Sequence, residues 1–288
     1  MRLSLTLRPL NLTQAGCSVP LNYHYYLSSV VYNWIEQSSP GYSSFLHKSG
    51  FSPDGLVRRF KHFCFSQLMV ADREVDRERR RLRILSPVIR WYISMPIDET
   101  LQHIVIGIFE KQEFYIDREY NRFIVEQVET LPEPQWERKM KFRMLSPVSV
   151  SVPEEREGRL MAHYLRADDP RVSEALRKNI INKYRSIYRD DLHDTEFNSE
   201  LDMEYIARRG GPERISKLIT IKEGKSDETK IRGFLCPLTI EGNPDLIKLA
   251  YESGLGEKNS LGFGMIEVVK KEEAVRNLTW YKNKEESE

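Results

Sequence analysis

Apolar and polar residues alternate through Arg2-Leu3-Ser4-Leu5-Thr6-Leu7-Arg8. A period of two puts the three leucines on one face and predicts a strand. After Pro20 the period lengthens. Leu27, Val30, Val31, Trp34 and Ile35 recur at i, i+3, i+4, i+7 and i+8, the buried stripe of a helix over about residues 21–38. Ser38-Ser39-Pro40-Gly41 reads as its end, followed by a loop through His47, Gly50 and Pro53. Residues 63–70, 82–85 and 89–94 read as strands. Pro96 opens a second helix with a stripe of Ile97, Leu101, Ile104, Val105 and Ile108, and residues 123–128 return as a strand.

This order, β-α-β-β-α-β, is the split βαβ arrangement of a ferredoxin-like domain. Thr130-Leu131-Pro132-Glu133-Pro134 reads as a linker, after which the grammar partly repeats. Residues 141–152 are extended. Asp168-Asp169-Pro170 starts a helix with apolar positions Val172, Leu176, Ile180, Tyr184 and Ile187. Strands are expected over 201–206, 215–221 and 231–240, a helix from Asn243-Pro244 to about Ser253, and a last strand over 265–269. The expected architecture is α+β: two tandem ferredoxin-like (RRM-like) domains, residues 1–130 and 136–275, with a glycine-rich loop near the end of the second. A charged tail, residues 276–288, should fray.

The length of 288 residues favours two domains, and a 40% apolar share is enough for packed cores. No run of eighteen apolar residues occurs, so no membrane partner is expected. Cys17, Cys64 and Cys236 are far apart and odd in number, which argues against a disulfide framework and for a cytoplasmic location. Without Cys-x-x-Cys, His-Glu-x-x-His or calcium-loop spacing, neither metal nor cofactor is expected. Lysine plus arginine number 44 against 43 acidic residues, so any nucleic-acid surface must be local. Arg58-Arg59-Phe60-Lys61-His62 and Arg77-Glu78-Arg79-Arg80-Arg81-Leu82-Arg83 are the candidates, although such runs also decorate solvated strand ends.

The segment with the most to say is Gly254-Leu255-Gly256-Glu257-Lys258-Asn259-Ser260-Leu261-Gly262-Phe263-Gly264-Met265. It follows a helix and opens a strand, the reverse of a dinucleotide-binding loop. Its missing side chains allow backbone N–H groups to approach another chain closely. The segment is similar, nearly letter for letter, to the C-terminal signature of the CRISPR repeat-processing endoribonucleases, CRISPR-associated protein six, of the repeat-associated RNA-binding superfamily. Pro20-Leu21-Asn22-Tyr23-His24-Tyr25-Tyr26-Leu27, Tyr32-Asn33, Phe45-Leu46-His47, Ser66-Gln67-Leu68-Met69 and Leu145-Ser146-Pro147-Val148 resemble the same family. Residues 198–229 match it least.

The resemblance implies a metal-independent cut within CRISPR repeat RNA. The 2′-hydroxyl attacks the adjacent phosphorus and leaves a 2′,3′-cyclic phosphate and a 5′-hydroxyl, which needs a base, an acid and positive charge. The family's Tyr-His-Lys set falls on Tyr32, His47 and Lys61, with Lys48 and Arg59 as rivals for the cation. Helix geometry turns Tyr32 roughly 130° from the buried stripe, on a face shared with Tyr25. A histidine's ordinary pKa near 6.5 suits proton transfer. The RNA-binding surface is expected on Arg58, Arg59, Arg79, Arg80, Arg81, Gly254, Gly256, Lys258, Asn259, Ser260, Gly262 and Gly264. Further partners implied are other proteins of a CRISPR effector complex and a second copy of the chain. The competing reading is a non-catalytic RNA-binding subunit of the same superfamily. Among the other histidines, His24 is expected half-buried, His103 solvated, and His62 on the face opposite Lys61.

Overall fold

The computed structural model describes residues 1–12, 17–53, 59–156, 158–189 and 192–269, and shows a mixed α+β protein. Its first half runs β1 (Arg2–Pro9), β2 (Cys17–Pro20), α1 (His24–Ser38), α2 (Pro40–Lys48), β3 (Cys64–Phe65), β4 (Met69–Val70), β5 (Arg73–Asp76), β6 (Arg81–Ile84), β7 (Ile89–Ser94), α3 (Asp98–Glu110), β8 (Glu113–Tyr115) and β9 (Arg122–Thr130). The second half runs β10 (Lys139–Met144), β11 (Ser151–Arg156), β12 (Arg159–Tyr164), α4 (Val172–Tyr188), β13 (Phe197–Leu201), α5 (Met203–Arg208), α6 (Pro212–Ile215), β14 (Ser216–Ile221), β15 (Thr229–Phe234), β16 (Leu238–Gly242) and α7 (Pro244–Ser253). A 3₁₀ turn (Asn259–Leu261) and β17 (Ile266–Val268) close it. No described helix is long and apolar enough to cross a membrane. Arg58 and the charged tail lie outside the described residues.

The first sheet has the order β3-β7-β1-β9-β8, with β4 also on β7. β1 is central, and its alternation works as expected: Leu5 sits opposite Trp91 on one side and Val128 on the other. The stripe of α1 is buried to the last residue, with Leu27, Val31 and Ile35 fully covered. α3 crosses α1 so closely that a Cβ on Gly107 would lie 1.9 Å from the Trp34 carbonyl oxygen. The second sheet has the order β13-β16-β10-β17, and its core takes Leu176 and Ile180 from α4 and Leu246, Leu249 and Ala250 from α7.

The two cores are joined through a buried arginine. Arg2, 1% exposed, donates from its guanidinium to the Tyr251 carbonyl at 2.9 Å and the Ile266 carbonyl at 2.8 Å, and lies 3.5 Å over the Tyr251 ring. β1 of one half is thereby tied to the C-terminus of α7 and to β17 of the other. A guanidinium is suited to this, because its fork reaches two carbonyls while its face stacks.

Five expectations need correction. The loop expected after α1 is a second helix, because Ser39 both ends α1 and caps α2: its side chain accepts from the Tyr42 N–H at 3.3 Å, and Pro40 takes the first turn. Residues 63–70 hold two short strands, interrupted where the Ser66 hydroxyl accepts from the Tyr92 N–H at 3.0 Å. The extended stretch after 141 is broken, and its second part pairs with β12 as a separate hairpin. Residues 201–206 leave β13 and enter α5, capped by Asp202, whose carboxylate accepts from the Tyr205 N–H at 2.8 Å. Residues 231–240 are two strands in different sheets, split around Pro237.

The α1–α3 crossing gives a direct stability test. Gly107→Ala must force the helices apart, so it should destabilise the protein by about 1–3 kcal/mol, the usual range for overpacking. Denaturant unfolding followed by circular dichroism checks this. An unchanged midpoint would show that the crossing has slack.

Candidate active site

The C-terminal turn of α2 ends in His47 and Lys48, both exposed. Its last carbonyls have no partner within the helix and must find donors elsewhere. Two cations supply them. The Lys61 ammonium donates to the Leu46 carbonyl and, at 3.1 Å, to the His47 carbonyl, and the Arg59 guanidinium donates to the Lys48 carbonyl. An antiparallel bridge between Phe51 and Phe60 brings residues 59–61 back along the end of the helix. Gly50 lets the chain turn there: its φ is +59°, and a Cβ would fall 2.5 Å from the Phe60 carbonyl oxygen.

Tyr32 meets His47 from α1, ring edge to ring face, with centroids 5.7 Å apart and planes at 70°. Phe63 holds the other side of the Tyr32 ring at 5.6 Å. The Tyr32 hydroxyl, whose pKa burial pushes up to about 12, lies beside the Ser260 side chain, which opposes the shift. It is therefore a neutral donor at any ordinary pH. Burial, then the neighbouring Arg59 charge, lowers the Lys61 pKa. Tyr32, His47 and Lys61 thus converge, and they line a cleft of about 1060 Å³ with Lys48, Arg59 and Lys258. The arrangement offers one solvent-accessible imidazole, one neutral hydroxyl and several cations around a space of ligand size.

The glycine-rich segment forms the opposite wall, though not as the sequence suggested. Its glycines face protein. A Cβ on Gly256 would lie 2.3 Å from the Ser149 carbonyl oxygen, on Gly262 2.4 Å from the Phe65 ring, and on Gly264 2.0 Å from the Leu255 carbonyl oxygen. A Cβ on Gly254 would meet Asn259 at 2.5 Å and Cys64 at 2.9 Å. Close approach is indeed why glycine is needed, but the approaching chain is the protein's own. Asn259 is a brace: its amide donates to the Leu255 and Phe263 carbonyls at 3.2 and 3.0 Å. Gly256, Lys258, Asn259 and Ser260 reach the cleft, whereas Gly254, Gly262 and Gly264 do not line it.

Arg79, Arg80 and Arg81 also do not line the cleft. They occupy the turn into β6, and each has an acidic partner: Asp76 at 3.5 Å, Glu223 at 2.6 Å and Asp117 at 2.8 Å. Arg81 in addition grips the Ser18 hydroxyl at 3.0 Å.

The sequence reading passed over Lys183, which the fold buries to 2% exposure beneath the glycine-rich segment. Its ammonium donates to the Gly254 carbonyl and, at 2.7 Å, to the Asn259 side-chain oxygen. Next to it lies His62, 3% exposed. Ser186 donates its hydroxyl to the Lys183 carbonyl, so the 2.7 Å contact to His62 places the imidazole proton on Nε2. Burial and the Lys183 charge hold the His62 pKa well below its ordinary value. His24 is wholly buried rather than half-buried, stacked 5.1 Å from Tyr23, and burial lowers its pKa to about 4. His103 is bonded rather than solvated, 2.9 Å from the Ser38 hydroxyl. The three cysteines are buried and unpaired. Among the described residues, no group of three or more His, Cys, Asp or Glu side chains converges as a metal site would require.

Comparison with known proteins gives two adjoining matches. Residues 18–129 match the family model "CRISPR-associated protein Cas6, N-terminal", and residues 131–268 match "CRISPR associated protein Cas6, C-terminal". The chain is 30% identical to the CRISPR-associated endoribonuclease Cas6 of Pyrococcus furiosus over 257 residues, covering 87% of this chain and 83% of that one. It is 29% identical to the CRISPR-associated endoribonuclease Cas6 1 of Methanocaldococcus jannaschii over 269 residues, 92% of each chain. Among solved structures, that of a Cas6-related gene product from Pyrococcus furiosus superposes with a TM-score of 0.77 at 27% identity, covering 94% of this chain and 99% of the other. Both halves match in order and almost without a gap, with the crevice between them, so this chain belongs to the Cas6 family.

Proposed function

We propose that the protein is an endoribonuclease that cuts CRISPR precursor transcripts within their repeats to release guide RNAs, using no metal or other cofactor. The observation that carries the reading is the convergence of His47 on Tyr32 in a cleft bordered by Lys48, Arg59, Lys61 and Lys258. The relatives named as CRISPR-associated endoribonucleases support it. The two sheets are read as two ferredoxin-like domains, residues 1–130 and 136–275, because each has its strands in the spatial order 4-1-3-2 that β-α-β-β-α-β connectivity produces.

In this mechanism His47 takes the proton of the RNA 2′-hydroxyl. The 2′-oxygen bonds to phosphorus as the bond to the 5′-oxygen breaks. That oxygen leaves as a hydroxyl by taking from His47 the proton removed from the 2′-hydroxyl, while Tyr32 donates only a hydrogen bond. Tyr32, neutral up to about pH 12, serves as donor and not as base. The cations meet the charge that grows on the phosphorane oxygens. Lys61 contributes the one N–H left over from its two bonds to the α2 carbonyls.

The chemistry is tested by single-turnover cleavage of repeat RNA at saturating protein. His47→Ala should slow the cut by about 10²–10⁴-fold. Tyr32→Phe should slow it less and leave the shape of the pH–rate profile unchanged, since no tyrosinate takes part. A 2′-deoxy substitution at the cleavage nucleotide should abolish cutting while binding persists, and excess chelator should have no effect. Uncut but tightly bound RNA with the native protein would point to a non-catalytic binding subunit, and cleavage of the 2′-deoxy RNA would remove the mechanism.

The binding surface is tested separately. Lys258→Glu should weaken RNA affinity and flatten its dependence on salt, because a cation in the cleft meets phosphate. Arg81→Ala should leave the salt slope alone and lower the unfolding midpoint, because its partners are Asp117 and Ser18. The reverse pattern, in titrations at several salt concentrations, would move the RNA path to the β5–β6 turn.

A further inference from the structure

The hairpin of β14 and β15 belongs to the second half of the chain but ends against the first. Glu223, in its turn, accepts from the Asn22 amide at 2.8 Å and pairs with Arg80 at 2.6 Å. The Thr220 N–H donates to the Asn22 side-chain oxygen at 3.2 Å. Ile219, Ile221 and Ile231 pack with Phe263 from the glycine-rich segment and with the partly buried Tyr25 of α1. The hairpin is thus clamped across one end of the cleft, and much of it lies in the stretch whose sequence least resembles the family.

The clamp sets two lysines over one aromatic ring. The Lys225 ammonium is 4.9 Å from the Tyr25 ring centroid and that of Lys222 is 5.8 Å. The acids of the turn are engaged elsewhere: Glu223 as above, Asp227 by Lys222, and Glu228 by the Gly224 N–H at 3.0 Å and by Lys230 at 3.9 Å. Lys225 makes no direct ion pair among the described residues, although its charge also acts on Asp227, the acid that Lys222 holds. Tyr25 lines the cleft together with Tyr32. Seven residues separate them, so they share a helix face with a rise of about 10.5 Å between them. A stacked strand rises about 3.4 Å along its axis per nucleotide, which puts Tyr25 within about three nucleotides of the reacting bond.

We propose that Tyr25 is a stacking platform for one unpaired base of the RNA beside the cleavage site, with Lys225 leaving the ring to hold the adjoining phosphate. The inference rests on the RNA-cleaving reading of the cleft. An aromatic face stacks any base, and a neighbouring cation follows the backbone, so the subsite recognises that a nucleotide is unstacked rather than which base it carries. Arg80 enters as the residue that positions the hairpin through Glu223, not as a phosphate ligand.

The test uses the intact protein and repeat RNA made uncleavable by a 2′-deoxy group at the cleavage nucleotide. Single abasic sites are placed in turn at each of the three nucleotides on either side of the cut, and affinity is measured for wild type, Tyr25→Leu, Tyr25→Phe and Lys225→Ala. At one position the abasic RNA should bind wild type about 5- to 150-fold more weakly, the range for losing one stacked base. Tyr25→Leu should lose a similar factor on the full RNA and nothing further on that abasic RNA, while Tyr25→Phe restores the wild-type pattern. Lys225→Ala should reduce the salt slope. Leucine preserves apolar packing, and a circular dichroism spectrum matching wild type qualifies the variant. Effects of Tyr25→Leu that multiply with every abasic site would overturn the platform while leaving the cleavage reading intact. A wild-type protein that neither binds nor cuts repeat RNA would overturn both.

Discussion

A buried ammonium holds the glycine-rich loop in the crevice between two apolar cores. Lys183 lies at 2% exposure on α4 and reaches the Gly254 carbonyl and the Asn259 side chain. A charge withdrawn from water costs several kcal/mol unless its bonds are made. Here they are made to the start of the glycine-rich loop, at Gly254, and to its middle, at Asn259. Everything on that side of the cleft follows from it. Asn259 braces the loop internally, the glycines let it sink onto Phe65 and Ser149, and Ser260 is left beside the Tyr32 hydroxyl. The hydroxyl proposed for catalysis therefore faces a residue more than two hundred positions away in the sequence.

The two halves resemble each other in strand order but contribute differently. The first carries the groups able to exchange protons, at the end of α2 and on the exposed side of α1. The second supplies the backing: the glycine-rich wall, Lys183 beneath it and the β14–β15 hairpin. Arg2 keeps the halves in register, since its two carbonyl partners come from α7 and β17. On this geometry, a shift of either half would change the Tyr32–His47 surroundings before it disturbed either core.

What was legible in the sequence was local and periodic. The α1 stripe, the alternation of β1, and α7 with its Asn243-Pro244 start all appear where the pattern puts them. α2 was hidden because one residue, Ser39, stops one helix and caps the next, and a Ser-Pro pair is read more readily as an end. α5 was misread because Leu201, Met203 and Tyr205 alternate with polar residues, which fits a short strand as well as a helical turn; the Asp202 cap decides. The glycine-rich segment reads as a place of close approach, yet its sequence says only that something comes close, not what. Lys183 gave no signal at all, because a lysine on a helix is ordinarily solvated and its partners lie more than seventy positions away.

The crevice also has a history in time. Translation delivers α1 and α2 before the glycine-rich segment, which follows on the order of ten to forty seconds later at usual synthesis rates. Through that interval His47 and Tyr32 are already in the chain, but Ser260 and Lys258 do not yet face them. β17, which pairs with β10 and accepts the Arg2 guanidinium, is later still. A nascent chain can therefore own the groups proposed to move protons and still lack the wall proposed to hold an RNA against them. The order of the sequence makes synthesis of the glycine-rich segment the step that completes the proposed site.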